Sequence, residues 1–310
     1  MAENDCLRLR RQGGASTLSL VVLVIGLQCG VALAQARDGS EAELRFARVA
    51  GGTFIMGSAA DEAGRDDDEG PPHQVTVRTF ALAVTEVTRT EFAKFIAATG
   101  DETDAERNPG SCGAPKPDSG VLPSWREPGF AQTDDHPVVC VSRNDAERYA
   151  TWMSDELGTP VRLPTETEFE YALRANQQTR LPWGTDDNAA CAHGNIGDVR
   201  FKQKFENTPN TGTCDDGFTY TSPVGGYAAD KYGIRDLSGN VWEWSADCFH
   251  DGYAGAPIDG SAWTSGSCEF GVLRGASFDD GPRYQRSANR VRVAPDVGAW
   301  VFGIRLAQDQ

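Results

Sequence analysis

The residues of this chain able to do chemistry are mainly carboxylates and cysteines, and their spacing decides what that chemistry can be. Two of its cysteines, Cys6 and Cys29, lie near the N-terminus; Cys112, Cys140, Cys191, Cys214, Cys248 and Cys268 follow at wide intervals. An even set of this kind fits disulfides in an oxidising compartment. Six cysteines can pair in many ways, but their succession in well-separated pairs favours Cys112 with Cys140, Cys191 with Cys214, and Cys248 with Cys268. Each bridge would close roughly twenty to thirty residues and contribute roughly 3 kcal/mol through loop entropy. Zinc or redox chemistry is the rival. No CxxC occurs, and His73, His136, His193 and His250 show no close ligand spacing, which argues against it.

The formal net charge is -16, with a local acidic run from Asp66 to Glu69. Such a surface repels phosphate-rich partners, so nucleic acid is not an expected ligand. The charge either keeps the protein soluble or includes carboxylates that hold a divalent cation. The N-terminus carries a different message. Arg8, Arg10 and Arg11 precede an apolar stretch, Leu18 to Leu27, and then Ala32-Leu33-Ala34. That is a signal-peptide pattern, with cleavage expected after Ala34. The apolar stretch is short for a membrane span, so an exported, periplasmic or extracellular protein without stable membrane insertion is expected. Residues 1–34 are read as the signal peptide, 35–45 as a flexible segment, and 46–310 as one domain.

The elements that must position any site are few. Phe54 and Met56 alternate within Phe46 to Ser58, which reads as an early strand, and Gln74 to Phe80 reads as a second. Thr88 with Glu91, and Thr165 with Glu168, are capping boxes that open helices. Between them a helix over Arg143 to Leu157 presents Ala146, Tyr149, Ala150 and Met153 at helical spacing and stops at Gly158. Beyond Arg174 the chain is rich in Gly, Asn, Asp, Pro and Trp. Short strands are expected near Val241 to Trp244, Val272 to Phe278 and Trp300 to Leu306. The reading is an α+β fold with little regular structure and long loops, held by staples other than sheet ladders.

Six blocks then stand in a telling order: GGTFIMGS at 51–58, VTEVTRTEFAKF at 84–95, HPVVCVSRNDAERYATWM at 136–153, RLPTETEFEYALRA at 162–175, GIRDLSGNVWEW at 233–244 and LRGASF at 273–278, with FGIRLA at 302–307 closing the chain. In that order they resemble the formylglycine-generating enzyme, or sulfatase-modifying factor, family. Its relatives include a pyoverdine-maturation branch and the catalytic domain of ergothioneine synthases. The resemblance implies an elaborated C-type-lectin-like fold. In the parent enzyme two cysteines shortly after the GGS segment bind copper(I) and activate oxygen to oxidise a sulfatase cysteine. The matching stretch here, Gly275 to Arg286, contains no cysteine, and none follows Cys268. Copper(I) is selected by soft thiolates, whereas Asp279 and Asp280 are hard oxygen donors, so the parent copper chemistry is not expected.

The resemblance also implies structural calcium. Asp236 and Glu243 through side chains, with Gly239 and Val241 through carbonyls, match one family site. Asn195 and Asp216, with the carbonyls of Ile196 and Phe218, match a second. An enzyme's pocket would lie where the copper site lies in the relatives, walled by Trp242, Trp244, Ser277, Asp279, Asp280, Arg283, Arg286 and Arg290. Adjacent carboxylates there could serve as acid or base, and an arginine could orient an anionic substrate. The alternative is that Asp279 to Pro282 is a polar turn, the arginines pair with surface acids, and the tryptophans fill a core. Function divides accordingly. The chain is a divergent metal-dependent oxidase-type enzyme or a non-catalytic member; the alternative is a lectin-like binding or accessory module for a protein or small-molecule ligand.

Overall fold

Short apolar runs separated by turn residues build this domain from strands of two to seven residues. The computed structural model describes residues 44–113, 120–206 and 208–310; the expected signal peptide lies outside them. Its strands and helices, in chain order, begin with β1 (Phe46–Val49), β2 (Gly52–Met56), β3 (His73–Val77) and β4 (Phe80–Ala83). Helices α1 (Arg89–Thr99) and α2 (Asp104–Arg107) precede β5 (Cys112–Gly113), and α3 (Arg143–Leu157), α4 (Glu166–Arg174) and α5 (Val199–Lys204) follow it. The last strands are β6 (Trp242–Cys248), β7 (Gly271–Arg274), β8 (Val291–Val293), β9 (Gly298–Ala299), β10 (Phe302–Gly303) and β11 (Ala307–Asp309). This is the expected α+β, loop-rich architecture.

Helix boundaries follow their caps. Thr88 and Thr165 each accept from the backbone N–H three residues on, and Glu91 and Glu168 each return the bond at 2.8 Å. Ser142 and Asp145 do the same for α3, which ends on Gly158 with φ of 63°. The sheets are less regular than the sequence implies. The early run divides because Gly51 packs directly on the turn after β3, where an added Cβ would lie 2.5 Å from the Val77 carbonyl oxygen. On one side β1 pairs with β4; on the other β2 pairs with β3. The run from Val272 stops as a strand at Arg274, because Gly275 and Ala276 turn left-handed with φ of 99° and 61°. That turn lifts Ser277 out of the ladder. The closing run breaks into β10 and β11, with Arg305 between them.

Two sheets matter for position. One has the order β1-β4-β11 and the other β10-β6-β7-β8. Helices α1 and α3 bury Phe92, Phe95, Ala146 and Tyr149 in a core shared with Trp244 and Leu273, while α4 buries Phe169 and Ala172 against Val75, Phe80 and Leu82. Three disulfides tie the loops: Cys112–Cys140, Cys191–Cys214 and Cys248–Cys268. Among the described residues no helix is long and apolar enough to cross a membrane.

Candidate functional site

Strand β6 and the turn after β7 bring four of the expected pocket residues together. Ser277 Oγ lies 2.7 Å from Asp279 Oδ1 and 2.6 Å from Asp280 Oδ2. A hydroxyl has one proton, so it can donate to only one of these carboxyl groups; the other contact requires a proton on the carboxyl itself. Asp280 Oδ2 also accepts from Trp242 Nε1 at 2.7 Å and from the Ser277 backbone N–H at 3.1 Å. Burial, and then the charge of Asp279, push the Asp280 carboxyl up to about 7, and burial raises Asp279 as well. No cation is hydrogen-bonded to either side chain among the described residues. The result is a pair of carboxyls that together hold one proton near neutrality.

Backbone contacts fix this pair. The Asp280 carbonyl accepts from Gly197 N–H at 2.9 Å and from Gln285 Nε2 at 3.2 Å. Gly281 lies so close to the loop before Cys214 that a Cβ would come within 1.6 Å of the Asn210 carbonyl oxygen. Only glycine fits there without moving backbone.

The other four pocket candidates are occupied elsewhere. Trp244 is a core residue: it is fully buried, and its Nε1 donates to the Val141 carbonyl at 3.1 Å. Arg286 makes a two-pronged pair with Glu69 at 2.6 and 2.5 Å, and both side chains are fully buried. Arg290 donates from Nη2 to Glu166 Oε2 at 2.8 Å, and its Nε lies 2.7 Å from Oε1 as an ion pair. Arg283 reaches Asp66 at 2.6 Å. Arg274 extends the array by pairing with Glu170 at 2.6 Å and Glu166 at 3.3 Å, and Arg174 pairs with Glu170 at 2.8 Å. Burial alone would raise the Glu170 carboxyl, but Arg174 and Arg274 outweigh it and hold the group below its usual range. These arginines therefore meet acids that are mostly buried, a third arrangement beside the substrate clamp and the surface pairs.

The two expected calcium sets differ in what their side chains already do. Glu243 is held two-pronged by Arg305 at 2.7 and 2.8 Å, and Asp236 accepts from the backbone N–H groups of Gly225 and Tyr227. Glu86 joins them, 3.8 Å from Arg305, with its Oε2 buried and without a hydrogen-bond partner. Three buried carboxylates thus share one guanidinium, and burial with the Asp236 charge drives Glu86 well above its ordinary range. In the second set, Asn195 is fully buried and its Oδ1 has no partner, although its amide nitrogen donates to Tyr220 O and Asn240 Oδ1. Asp216 accepts from the N–H groups of Ile196 and Phe218 at 2.8 and 2.9 Å, and burial raises it to about 6. An orphaned buried amide oxygen beside a desolvated carboxylate is a donor set suited to a hard cation.

Glu86 and Asp198 escaped the sequence reading. Nothing local marks Glu86, whose Oε1 accepts from Asn240 Nδ2, 154 residues away, at 2.9 Å. Asp198 had a signal: it stands where an N-cap should before Val199, and its Oδ1 accepts from Arg200 and Phe201 N–H.

The geometry defines a class first: disulfide-stapled, lectin-like α+β domains with long loops. The model of the sulfatase-modifying factor enzyme 1-like domain matches residues 34–310, and the chain belongs to that family. It is 37% identical to the formylglycine-generating enzyme of Streptomyces coelicolor, over 84% of this chain and 88% of the relative. It is 31% identical to the mouse inactive C-alpha-formylglycine-generating enzyme 2, over 94% of this chain and 93% of that one. The structure of PvdO from Pseudomonas aeruginosa superposes with a TM-score of 0.71 at 33% identity, covering 86% of this chain and 94% of that one.

Proposed function

We propose that this chain is an exported sulfatase-modifying-factor-like protein whose working centre is the Ser277–Asp279–Asp280 group beneath Trp242, in place of copper–thiolate oxidation. The observation that carries the reading is the contact of one hydroxyl with two carboxyl groups at 2.7 and 2.6 Å. A pair that holds a proton near pH 7 is suited to donate and accept it during a reaction, or to grip a ligand that offers a proton. Export is supported by the disulfides and the N-terminal pattern. Structural calcium is supported by the orphaned Asn195 Oδ1 and by the excess of carboxylates around Arg305.

Where calcium binds, Asn195 and Asp216, or Asp236 and Glu243, would hold it by oxygen, and its contribution is to cross-link loops. The acids and bases are the chain's own. Trp242 Nε1 orients Asp280, and Ser277 relays between the two carboxyl groups.

The test is turnover of peptide and small-molecule substrates by the mature protein, followed by oxygen consumption and product mass, with and without added iron or copper. Loss of turnover in an Asp279→Ala, Asp280→Ala double variant that still folds is the expected outcome. Unchanged turnover in that variant overturns the placement. Ligand binding without turnover would make the protein the accessory module instead.

A further inference from the structure

A second cluster lies outside the Ser277 centre. Cys191 Sγ and one carboxylate oxygen each of Asp198 and Asp216 all lie within 4.8 Å of one another, the only such group of three potential metal-ligating side chains among the described residues. Asp198 is fully buried, and its Oδ2 accepts from Asp216 N–H at 2.8 Å, so the two carboxylates are held together by the backbone. An independent observation points to a ligand: Asn195 is fully buried and its Oδ1 has no partner, and the next residue, Ile196, ties this segment to the cluster by donating its N–H to Asp216 Oδ2 at 2.8 Å. The sulfur, however, is not a thiolate. Cys191 is joined to Cys214, and both half-cystines are partly exposed, whereas both members of Cys112–Cys140 are buried.

We infer that the Cys191–Cys214 bridge sets which cation this cluster takes. With the bridge intact, the cluster offers oxygen atoms and a disulfide sulfur with little donor strength, which suits a hard cation. A dithiol reductant can reach this partly exposed bridge. It gives up two electrons and two protons, becoming a disulfide itself, and leaves Cys191 and Cys214 as thiols. Cys191 then stands beside two carboxylates, and its thiol loses its proton to solvent as the Sγ–zinc bond forms. Zinc–sulfur bonds of about 2.3 Å and zinc–oxygen bonds of about 2.0–2.2 Å bring ligand atoms to within about 4 Å of each other, reachable from the present spacing by small side-chain rotations. Reduction therefore converts a calcium-type site into a borderline-soft one. The inference requires only that the cluster binds cations. It does not depend on the chemistry of Ser277.

The experiment uses the full mature protein and cobalt(II) as the spectroscopic probe for zinc. Cys214→Ser leaves Cys191 as a thiol without any reductant, and the Cys191→Ser, Cys214→Ser double variant lacks both sulfurs. Cobalt should give a sulfur-to-metal charge-transfer band with Cys214→Ser, and zinc should displace it at one ion per chain, binding roughly tenfold or more tighter than to the oxidised parent. The double variant should show no band, and Cys214→Ser, Asp198→Asn should bind more weakly. If Cys214→Ser does not fold, the parent reduced with a phosphine answers the same question. Absence of the band from whichever of these is measured, or equal zinc affinity in the double variant, overturns the inference. Calcium titration of the oxidised parent is read separately, so failure of the calcium reading and of the bridge effect are distinguishable.

Discussion

Two acidic regions lie within a few residues of each other along the chain and behave in opposite ways. Around Arg274, Arg286 and Arg290, each buried glutamate has a guanidinium: Glu69 meets Arg286, and Glu166 and Glu170 meet Arg274. Around Ser277, Asp279 and Asp280 have a hydroxyl, an indole N–H and each other, but among the described residues no cation is hydrogen-bonded to them. The first region fixes its charges and joins the acidic loop Asp66 to Glu69 to the segment between β7 and β8. The second leaves a proton negotiable. Residue type does not separate the two; the presence of a counter-charge does.

The contrast is most open to attack at Arg286. Arg286→Met should strand a buried Glu69 carboxylate and cost about 3–5 kcal/mol, a fall of about 10 °C in Tm measured by calorimetry. An unchanged Tm would show that the array does not hold the loop. The cluster around Arg305 is an intermediate case, with three acids and one cation, and it sharpens the comparison through metal removal. Chelation should lower stability by about 2–3 kcal/mol per site occupied at a hundredfold excess over Kd, and calcium but not sodium should restore it.

Asp280→Asn tests the other side of the comparison through pH. The folded pKa of Asp280, about 7, lies above the unfolded value of about 4. The folded form therefore binds the proton more tightly, so the contribution to stability is full below about pH 4 and is lost as pH rises toward 7. The variant should show a flatter urea-midpoint profile between those values and gain about 1–2 kcal/mol at pH 8, less than the whole shift implies because Asp279 and Asp280 titrate as a pair that shares one proton. The smallest effect should come from Ser277→Ala, about 1 kcal/mol, with a larger loss at pH 8 than at pH 5 because the two carboxylates then face each other unbridged.

Local signals in the sequence carried local structure well. The α3 helix spans the residues its periodicity marks, and Thr88 and Thr165 cap as their spacing to Glu91 and Glu168 requires. Strand limits were poorly legible, because most strands here are two to five residues long and stop where a backbone turns, as at Gly275 and Ala276. The site divided along the same line. Ser277, Asp279 and Asp280 are neighbours in sequence and in space. The fate of Arg286 was invisible, since its partner Glu69 lies 217 residues away and no periodicity connects them. The same distance effect hid Glu86.

The sheet order β1-β4-β11 has a consequence for how this chain reaches its final form. The first and last strands flank the same central strand, each about 4.8 Å from it. During synthesis β4 therefore keeps one edge open until the C-terminal residues arrive, and this long-range closure predicts slow folding compared with a helical domain of similar size. The disulfides close separations of 20 to 28 residues and join cysteines in the order in which they emerge. An oxidant that links each cysteine to the next available one would produce the native set without reshuffling, leaving the sheet as the final step of assembly.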